Sequence, residues 1–314
     1  METITVKLSQ NVDPLIEKFC KDCKLRDMTK EGIIRYKSNI RMFAKYFKND
    51  SIVNLNIRML EEYLGYLKFK KEVTHKTIEN NFTSISAFYD YLVFHGFSDR
   101  NLVLPFRKRY LRMYKKNNID SRRKLLSVEE MSQLVNSILD PRDKAISVVL
   151  AKTGVRRGEL LKMDVHDLKW NNYSITLKPV PKRSNRVVFF DDECAIVLKR
   201  WLNVRTKLSP TTNALFVSYQ TLNRLSRNGC YQAVVKYAKR LGFHNPKSPK
   251  IEDHFSPHCF RHWFTTYLLR NGMSREYVKE LRGDKRKEAI DIYHHIDQED
   301  LRKKYLACIP KLGI

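Results

Sequence analysis

The chain has 314 residues, 42% of them hydrophobic, enough to build two ordinary domains with real cores and too apolar for a disordered tail. Sixty Lys and Arg against 34 Asp and Glu leave a formal charge of +26, an excess that points to a polyanion. The basic residues are spread along the chain rather than gathered on one amphipathic segment, which favours nucleic acid over a membrane surface. The opening METITVKLSQ has no apolar signal core, and no window approaches the ~18 apolar residues of a membrane span, so the expected setting is intracellular. Six scattered cysteines do not make a disulfide framework. The one close pair, CKDC at 20–23, lacks the second pair that a zinc site needs; it reads as helix-face thiols, with no metal implied.

The first hundred residues read as helix. Asp13 before Pro14 predicts a cap opening a helix to about Leu25. Thr29 caps a second, with Ile33, Tyr36, Ile40, Phe43, Ala44 and Phe47 at helical spacing. Asn56 caps a third, carrying Ile57, Leu60, Leu64 and Leu67, and a fourth carries Ile78, Phe82, Ile85, Phe88, Tyr89 and Leu92 before Gly96 stops it. Four amphipathic helices make a small bundle over residues 1–104. From 105 to 124 the apolar period is lost and nine Lys/Arg face one Asp, which predicts an exposed basic linker. Its Arg107, Lys108, Arg109, Arg112, Lys115 and Lys116 suit contact with a phosphate backbone.

A second domain is expected over 125–314. Ser127 and Glu130 have the spacing of a capping box, and an apolar helix over PRDKAISVVLAKTG ends at Gly154. Runs at 173–178 and 186–190, joined by a Pro/Lys/Arg/Ser/Asn turn, predict a β-hairpin. The remainder is helical, with breaks near 209–212, 245–256 and Gly272. The fold class is therefore mainly α, with a small hairpin or sheet in the second domain.

Four stretches carry chemistry. TGVRRGEL sets Arg156 just past a glycine turn at a helix start, where it can face an anion, although this alone is a weak signal. HCFRHWFTTYLL sets His258 and Arg261 at i and i+3 on one side of a helix, with Phe260, Trp263, Phe264 and Leu268 left for its buried faces; an isolated pair at this spacing also occurs on solvated helix faces. In RGDKRKEAIDIYHHID, Tyr293 is flanked by Ala289, Ile290 and Ile292, and in isolation it would read as a core aromatic. The basic hairpin holds Lys178 and Lys182.

Taken in order, TGxR, the basic hairpin, HxxR, a glycine about ten residues before a Tyr, and that Tyr resemble the tyrosine recombinase (phage-type integrase) family. The wording RGD…AIDIYHHID is most similar to archaeal integrases and Xer-type recombinases. The resemblance spans nearly the whole chain. It implies a SAM-like N-terminal core-binding bundle and a mixed α/β catalytic domain that together clamp duplex DNA. It also implies that Arg156 and Arg261 bind the scissile phosphate, that His258 is the histidine of HxxR, and that Tyr293 is the nucleophile. The family's catalytic lysine lies in the hairpin; its usual GKG is replaced by KPVPKRSNR, which leaves Lys182 first and Lys178 in reserve.

The implied activity is site-specific recombination through a 3′-phosphotyrosyl link, without ATP or any other cofactor, by a tetramer on two DNA sites in the cytoplasm, associated with the nucleoid in a prokaryotic host. Two alternatives use the same scaffold: a type IB topoisomerase-like nicking and closing enzyme, and a non-catalytic DNA-binding regulator. One position departs from the family. Where His or Trp is usual after the glycine, this chain has Asp284, whose ionised carboxylate cannot donate a hydrogen bond to a phosphate. Asp284 reads as a cap of the next helix or a supporting partner of the site, against direct phosphate contact, with Lys285 or Arg286 available to supply the missing donor. The tail DQEDLRKKYLACIPKLGI predicts an amphipathic helix capped by Asp297, with Leu301, Tyr305 and Leu306 apolar; docking on its own domain and on a neighbouring protomer are both open.

Overall fold

The computed structural model describes residues 12–47, 52, 55–112, 125–179, 186–248, 250–284 and 296–314. The chain divides into two compact units, Met1–Asn117 and Asn118–Ile314.

The first unit holds α1 (Asp13–Leu25), α2 (Lys30–Tyr46), α3 (Ile57–Gly65), α4 (His75–Phe94) and α5 (Val103–Tyr110). Local chemistry explains the starts. The side chains of Thr29, Asn56 and Thr74 accept from the backbone N–H groups of Gly32, Met59 and Thr77, satisfying donors that a helix leaves open at its first turn. At α1 the cap lies one residue earlier than expected, at Val12, and Asp13 is instead a first-turn residue paired with Arg41 on α2. Ile40, Phe43, Leu60, Phe82, Ile85 and Phe88 are buried in the shared core, as the helical spacing required, with Phe19, Tyr63, Cys20 and Cys23 beside them, whereas Ile57, expected on the buried side of α3, is 40% exposed at its first turn.

The expected linker is corrected at its start. Residues 103–110 form α5, with Phe106 and Leu111 buried in this unit and the Phe106 ring stacked 5.4 Å from Phe82. Two apolar residues five apart anchor the segment, while the charge run hid their contribution. Lys108, Arg109 and Arg112 are exposed; Arg107 donates to Thr83 Oγ1 at 3.0 Å. Lys115 and Lys116 lie outside the described residues.

The second unit is built on α7 (Pro141–Thr153), which is buried along nearly its whole length. Around it stand α6 (Val128–Asn136), α9 (Asp192–Leu208), α10 (Arg227–Arg240) and α11 (Pro257–Arg270), with the short α8 (Arg157–Lys162), α12 (Arg275–Arg282) and α13 (Gln298–Cys308). Ser127 and Glu130 form the reciprocal capping box of α6. The hairpin expands into an antiparallel sheet in the order β1 (Leu168–Lys169), β2 (Ser174–Leu177), β3 (Arg186–Phe189), with Ile175 opposite Val188 and Leu168 opposite Ile175. β1 was not expected, since two residues carry no readable alternation.

The tail helix α13 is capped by Asp297 as expected, but its buried face is Leu301, Tyr305 and Cys308, while Leu306 is 37% exposed. Spacings of four and seven return to one helical face; five does not. α13 packs on its own unit, sharing a core with Phe264, Leu268 and Val278. Beyond it, the Glu193 carboxylate accepts the backbone N–H groups of Leu312, Gly313 and Ile314 at 2.7–3.2 Å, and fully buried Lys152 bridges Asp191, Glu193 and the carbonyl of Pro310 at 2.5–2.7 Å.

Candidate active site

Two helix ends and a helix face meet in the second unit. α7 stops at Gly154, whose φ of +58° is a left-handed turn that glycine adopts without strain. A side chain there would also collide with the Phe264 ring, since a Cβ would lie 2.2 Å from it. The turn delivers Val155 to the core and Arg156 to the N-cap position of α8.

Arg261 projects from α11. It is 3% exposed, and its Nη1 donates to the Gly154 carbonyl at 2.8 Å, which ties the glycine turn to the HxxR helix. Phe260, Trp263, Phe264 and Leu268 occupy the buried faces of α11, as the spacing predicts. His258 is exposed, with its ring 4.6 Å from that of His262 and nearly perpendicular to it.

The third contributor is the end of α12. Gly283 has φ +58° and closes the helix, and Asp284 N–H returns to the Lys279 carbonyl at 3.2 Å. Arg156 Nη1 and Arg261 Nη2 both donate to the Arg282 carbonyl, at 3.0 and 2.8 Å. The same guanidiniums reach Asp284 Oδ1 at 3.4 and 3.3 Å, and Arg282 Nε lies 3.1 Å from Asp284 Oδ2. Residues 156 and 261 are thus aimed at one oxygen-lined point, where the negative end of the α12 dipole also lies. Asp284 is a partner of the arginines in this structure; the helix it was expected to cap falls outside the described residues.

The clustering of cations has a cost. Burial, followed by the charges of Arg156 and Arg282, pushes the Arg261 guanidinium down to about 9, while Glu159 and Asp284 oppose the shift. Glu159 is the partner that the motifs did not reveal. It is 6% exposed, takes both Nη groups of Arg186 at 3.0 Å, and accepts the backbone N–H of Arg156 at 2.7 Å. Burial disfavours its charge, but the hydrogen bonds and charge of Arg186, with the Arg156 N–H, outweigh burial and hold its carboxyl below the usual carboxylate range. Arg186 Nε donates to the Leu281 carbonyl at 3.0 Å, so one buried ion pair joins β3, α8 and the end of α12. The Arg–x–x–Glu spacing of Arg156 and Glu159 was visible, but Arg186 is 27 residues further on.

A cleft of about 330 Å³ opens beside the arginines, lined by Arg156, Arg261, His258 and, from α10, Arg227 and Tyr231. The last two, four apart at the start of α10, belong to no motif in the sequence. Lys178 is engaged by Asp164, which also takes Arg224, rather than by the groups around Arg156 and Arg261. Lys182 and Tyr293 lie outside the described residues.

A phage integrase family model matches residues 124–300, more than half of the chain and all of the elements just described except the tail, and an integrase N-terminal SAM-like model matches 15–95. The chain belongs to the phage integrase family. Among its relatives in that family, tyrosine recombinase XerC of Histophilus somni (strain 2336) is 26% identical over 248 residues, covering 77% of this chain and 78% of that protein. Tyrosine recombinase XerC of Leptospira interrogans serogroup Icterohaemorrhagiae serovar copenhageni is 24% identical over 308 residues, covering 96% and 95%. Of solved integrase structures, the Tn1549 transposon integrase in complex with circular intermediate DNA superposes with a TM-score of 0.66 at 18% identity, over 92% of this chain and 98% of that one. A lambda integrase dimer bound to a COC′ core site gives 0.67 at 16% identity, over 90% and 76%. These likenesses establish the integrase fold: a SAM-like helical unit followed by a largely helical unit with a small antiparallel sheet.

Proposed function

We propose that this integrase-family chain is a site-specific tyrosine recombinase in which Arg156 and Arg261 hold the scissile phosphate and Tyr293 attacks it. The observation that carries the reading is the convergence of the two guanidiniums, from α8 and α11, on the Arg282 carbonyl and the Asp284 carboxylate. Fork-shaped donors aimed at clustered oxygens are what a tetrahedral phosphodiester requires.

A phosphodiester carries one negative charge, and attack by an oxygen nucleophile places more charge on its equatorial oxygens. Arg156 and Arg261 neutralise that charge from fixed positions, so little reorganisation is needed as it develops. The Tyr293 phenolic oxygen forms a bond to phosphorus as the bond to the 5′ oxygen breaks. The phenolic proton passes to a base, the role proposed for His258, one helical turn before Arg261. Lys182, the first hairpin candidate, supplies a proton to the departing 5′ oxygen; Lys178 is less suited because Asp164 holds it. The products are a 3′-phosphotyrosyl ester and a free 5′ hydroxyl. The ester keeps the phosphodiester energy, so a 5′ hydroxyl from a second duplex reverses the step without ATP.

The DNA partner is supported by the +26 charge and by neighbours solved on DNA sites, and a tetramer on two duplexes is the assembly that paired exchange requires. The exposed Lys108, Arg109 and Arg112 are proposed backbone contacts, Lys115 and Lys116 are proposed with them on sequence grounds, and a cytoplasmic, nucleoid-associated setting is proposed with that role.

A nicked suicide substrate tests the assignment. Tyr293→Phe is expected to abolish the covalent adduct while leaving DNA affinity near wild type, and Arg156→Ala to slow cleavage ~10²–10³-fold, the usual loss for one preorganised donor. An adduct that persists in Tyr293→Phe would transfer the nucleophile to another residue.

A further inference from the structure

We propose that Asp284 is the resident anion of the arginine fork and makes it selective: its carboxylate fills the phosphate position until a phosphate carried on bound duplex DNA displaces it. The inference rests on Arg156 and Arg261 being the phosphate arginines. Asp284 Oδ1 lies 3.4 Å from Arg156 Nη2 and 3.3 Å from Arg261 Nη2, while Oδ2 lies 3.1 Å from Arg282 Nε. One carboxylate therefore lies within ion-pair range of three guanidiniums, with Oδ1 hydrogen-bonded by both Arg156 and Arg261, as a non-bridging oxygen of a phosphodiester would be.

The placement is built into the backbone. Gly283, in the left-handed region, turns the chain back over the end of α12, and Asp284 N–H returns to the Lys279 carbonyl at 3.2 Å. A Cβ at Gly283 would come 2.5 Å from Arg186 Nη1, itself clamped on Glu159, so the turn has little freedom to shift. The Asp284 side chain is nevertheless 30% exposed, which leaves it a way out toward solvent.

Carboxylate and phosphodiester carry the same charge and would share the same donors, so they repel one another if both stay. Exchange of one for the other leaves the charge of the fork unchanged. The carboxylate is tethered next to its donors, and a tethered group competes at a high effective concentration that a free anion in solution does not match. A phosphate within a duplex already bound by the basic surface has the same advantage and displaces it. The fork therefore carries a built-in competitor, and the consequence is discrimination against isolated anions.

The test is titration calorimetry of the DNA-free full-length chain with inorganic phosphate at fixed ionic strength. Asp284→Asn is expected to bind phosphate at least tenfold tighter than wild type, and Asp284→Asn/Arg156→Ala to lose that gain. Asp284→Ser provides the same comparison with a smaller neutral side chain, and circular dichroism confirms that each variant is folded. Equal phosphate affinity in wild type and both neutral variants would overturn the proposal, as would a gain that survives removal of Arg156. Arg156→Ala on the suicide substrate checks the underlying assignment separately: normal cleavage there would remove Arg156 from the phosphate site whatever the calorimetry shows.

Discussion

Arg186→Met removes a buried cation while roughly keeping its volume. Three hydrogen bonds go with it: both 3.0 Å bonds to the Glu159 oxygens and the 3.0 Å bond to the Leu281 carbonyl. The side chains of Arg186 and Glu159 are 3% and 5% exposed, so water cannot take the place of the missing guanidinium. Breaking a buried pair from one side costs about 3–5 kcal/mol, because the remaining charge is left uncompensated. For a unit the size of 118–314, each kcal/mol moves the midpoint by ~2–4 °C, so the transition of this unit should fall by ~6–20 °C in calorimetry of the full chain. In the wild type, the lowered Glu159 group contributes stability that is present above its ordinary value of 4.5 and is lost as pH falls through its folded value. In the variant, burial loses its main opponent, leaving the N–H and charge of Arg156 and the charge of Arg261, so the group moves upward and its penalty is relieved as pH falls. The deficit relative to wild type should therefore narrow as pH falls toward the ordinary carboxylate value of 4.5. Adding Glu159→Gln removes the stranded charge and should recover at least ~1 kcal/mol. A midpoint within ~3 °C of wild type, or a double variant no better than the single, would refute the ion pair as the joint between β3, α8 and α12.

Three further outcomes are expected. Gly154→Ala forces a side chain into a +58° turn and against Phe264, and should cost at least ~2 kcal/mol in denaturant unfolding and slow DNA cleavage by displacing the carbonyl that holds Arg261; wild-type stability would contradict the close approach. Glu193→Gln weakens the acceptor shared by the Leu312, Gly313 and Ile314 amides and by Lys152, so exchange of those amides should quicken at least ~10-fold, about 1.4 kcal/mol, and unchanged protection would mean that packing alone holds the tail. Replacing exposed Lys108 and Arg109 with Ala should lower the slope of log affinity against log salt by ~0.9 for each phosphate that is no longer neutralised, whereas an unaltered slope would place DNA elsewhere.

What could be read from the sequence was what short-range geometry controls. The caps at Thr29, Asn56, Ser127 and Asp297, and the left-handed stops at Gly154 and Gly283, each depend on partners three to five residues away. Helical spacing likewise placed Phe260, Trp263, Phe264 and Leu268 inside and left Arg261 to the site, although it could not show that Arg261 itself would be 3% exposed. The order of the motifs was enough to mark the family. Other features had no local signature. α5 was hidden because two buried residues, Phe106 and Leu111, outweighed a run of charge, and only the core that receives them makes that visible. Arg186 and Glu159 are 27 residues apart, and Lys152 meets Pro310 across 158. An ion pair at such separations depends on which elements are brought together, and burial then multiplies its energetic weight. Asp284 shows the division most plainly. Composition and spacing allowed a cap or a supporting partner, both satisfied by a short polar side chain after glycine. The partner role was supplied by Arg156 and Arg261, which arrive from distant helices and carry positive charge into a space that only an anion can neutralise.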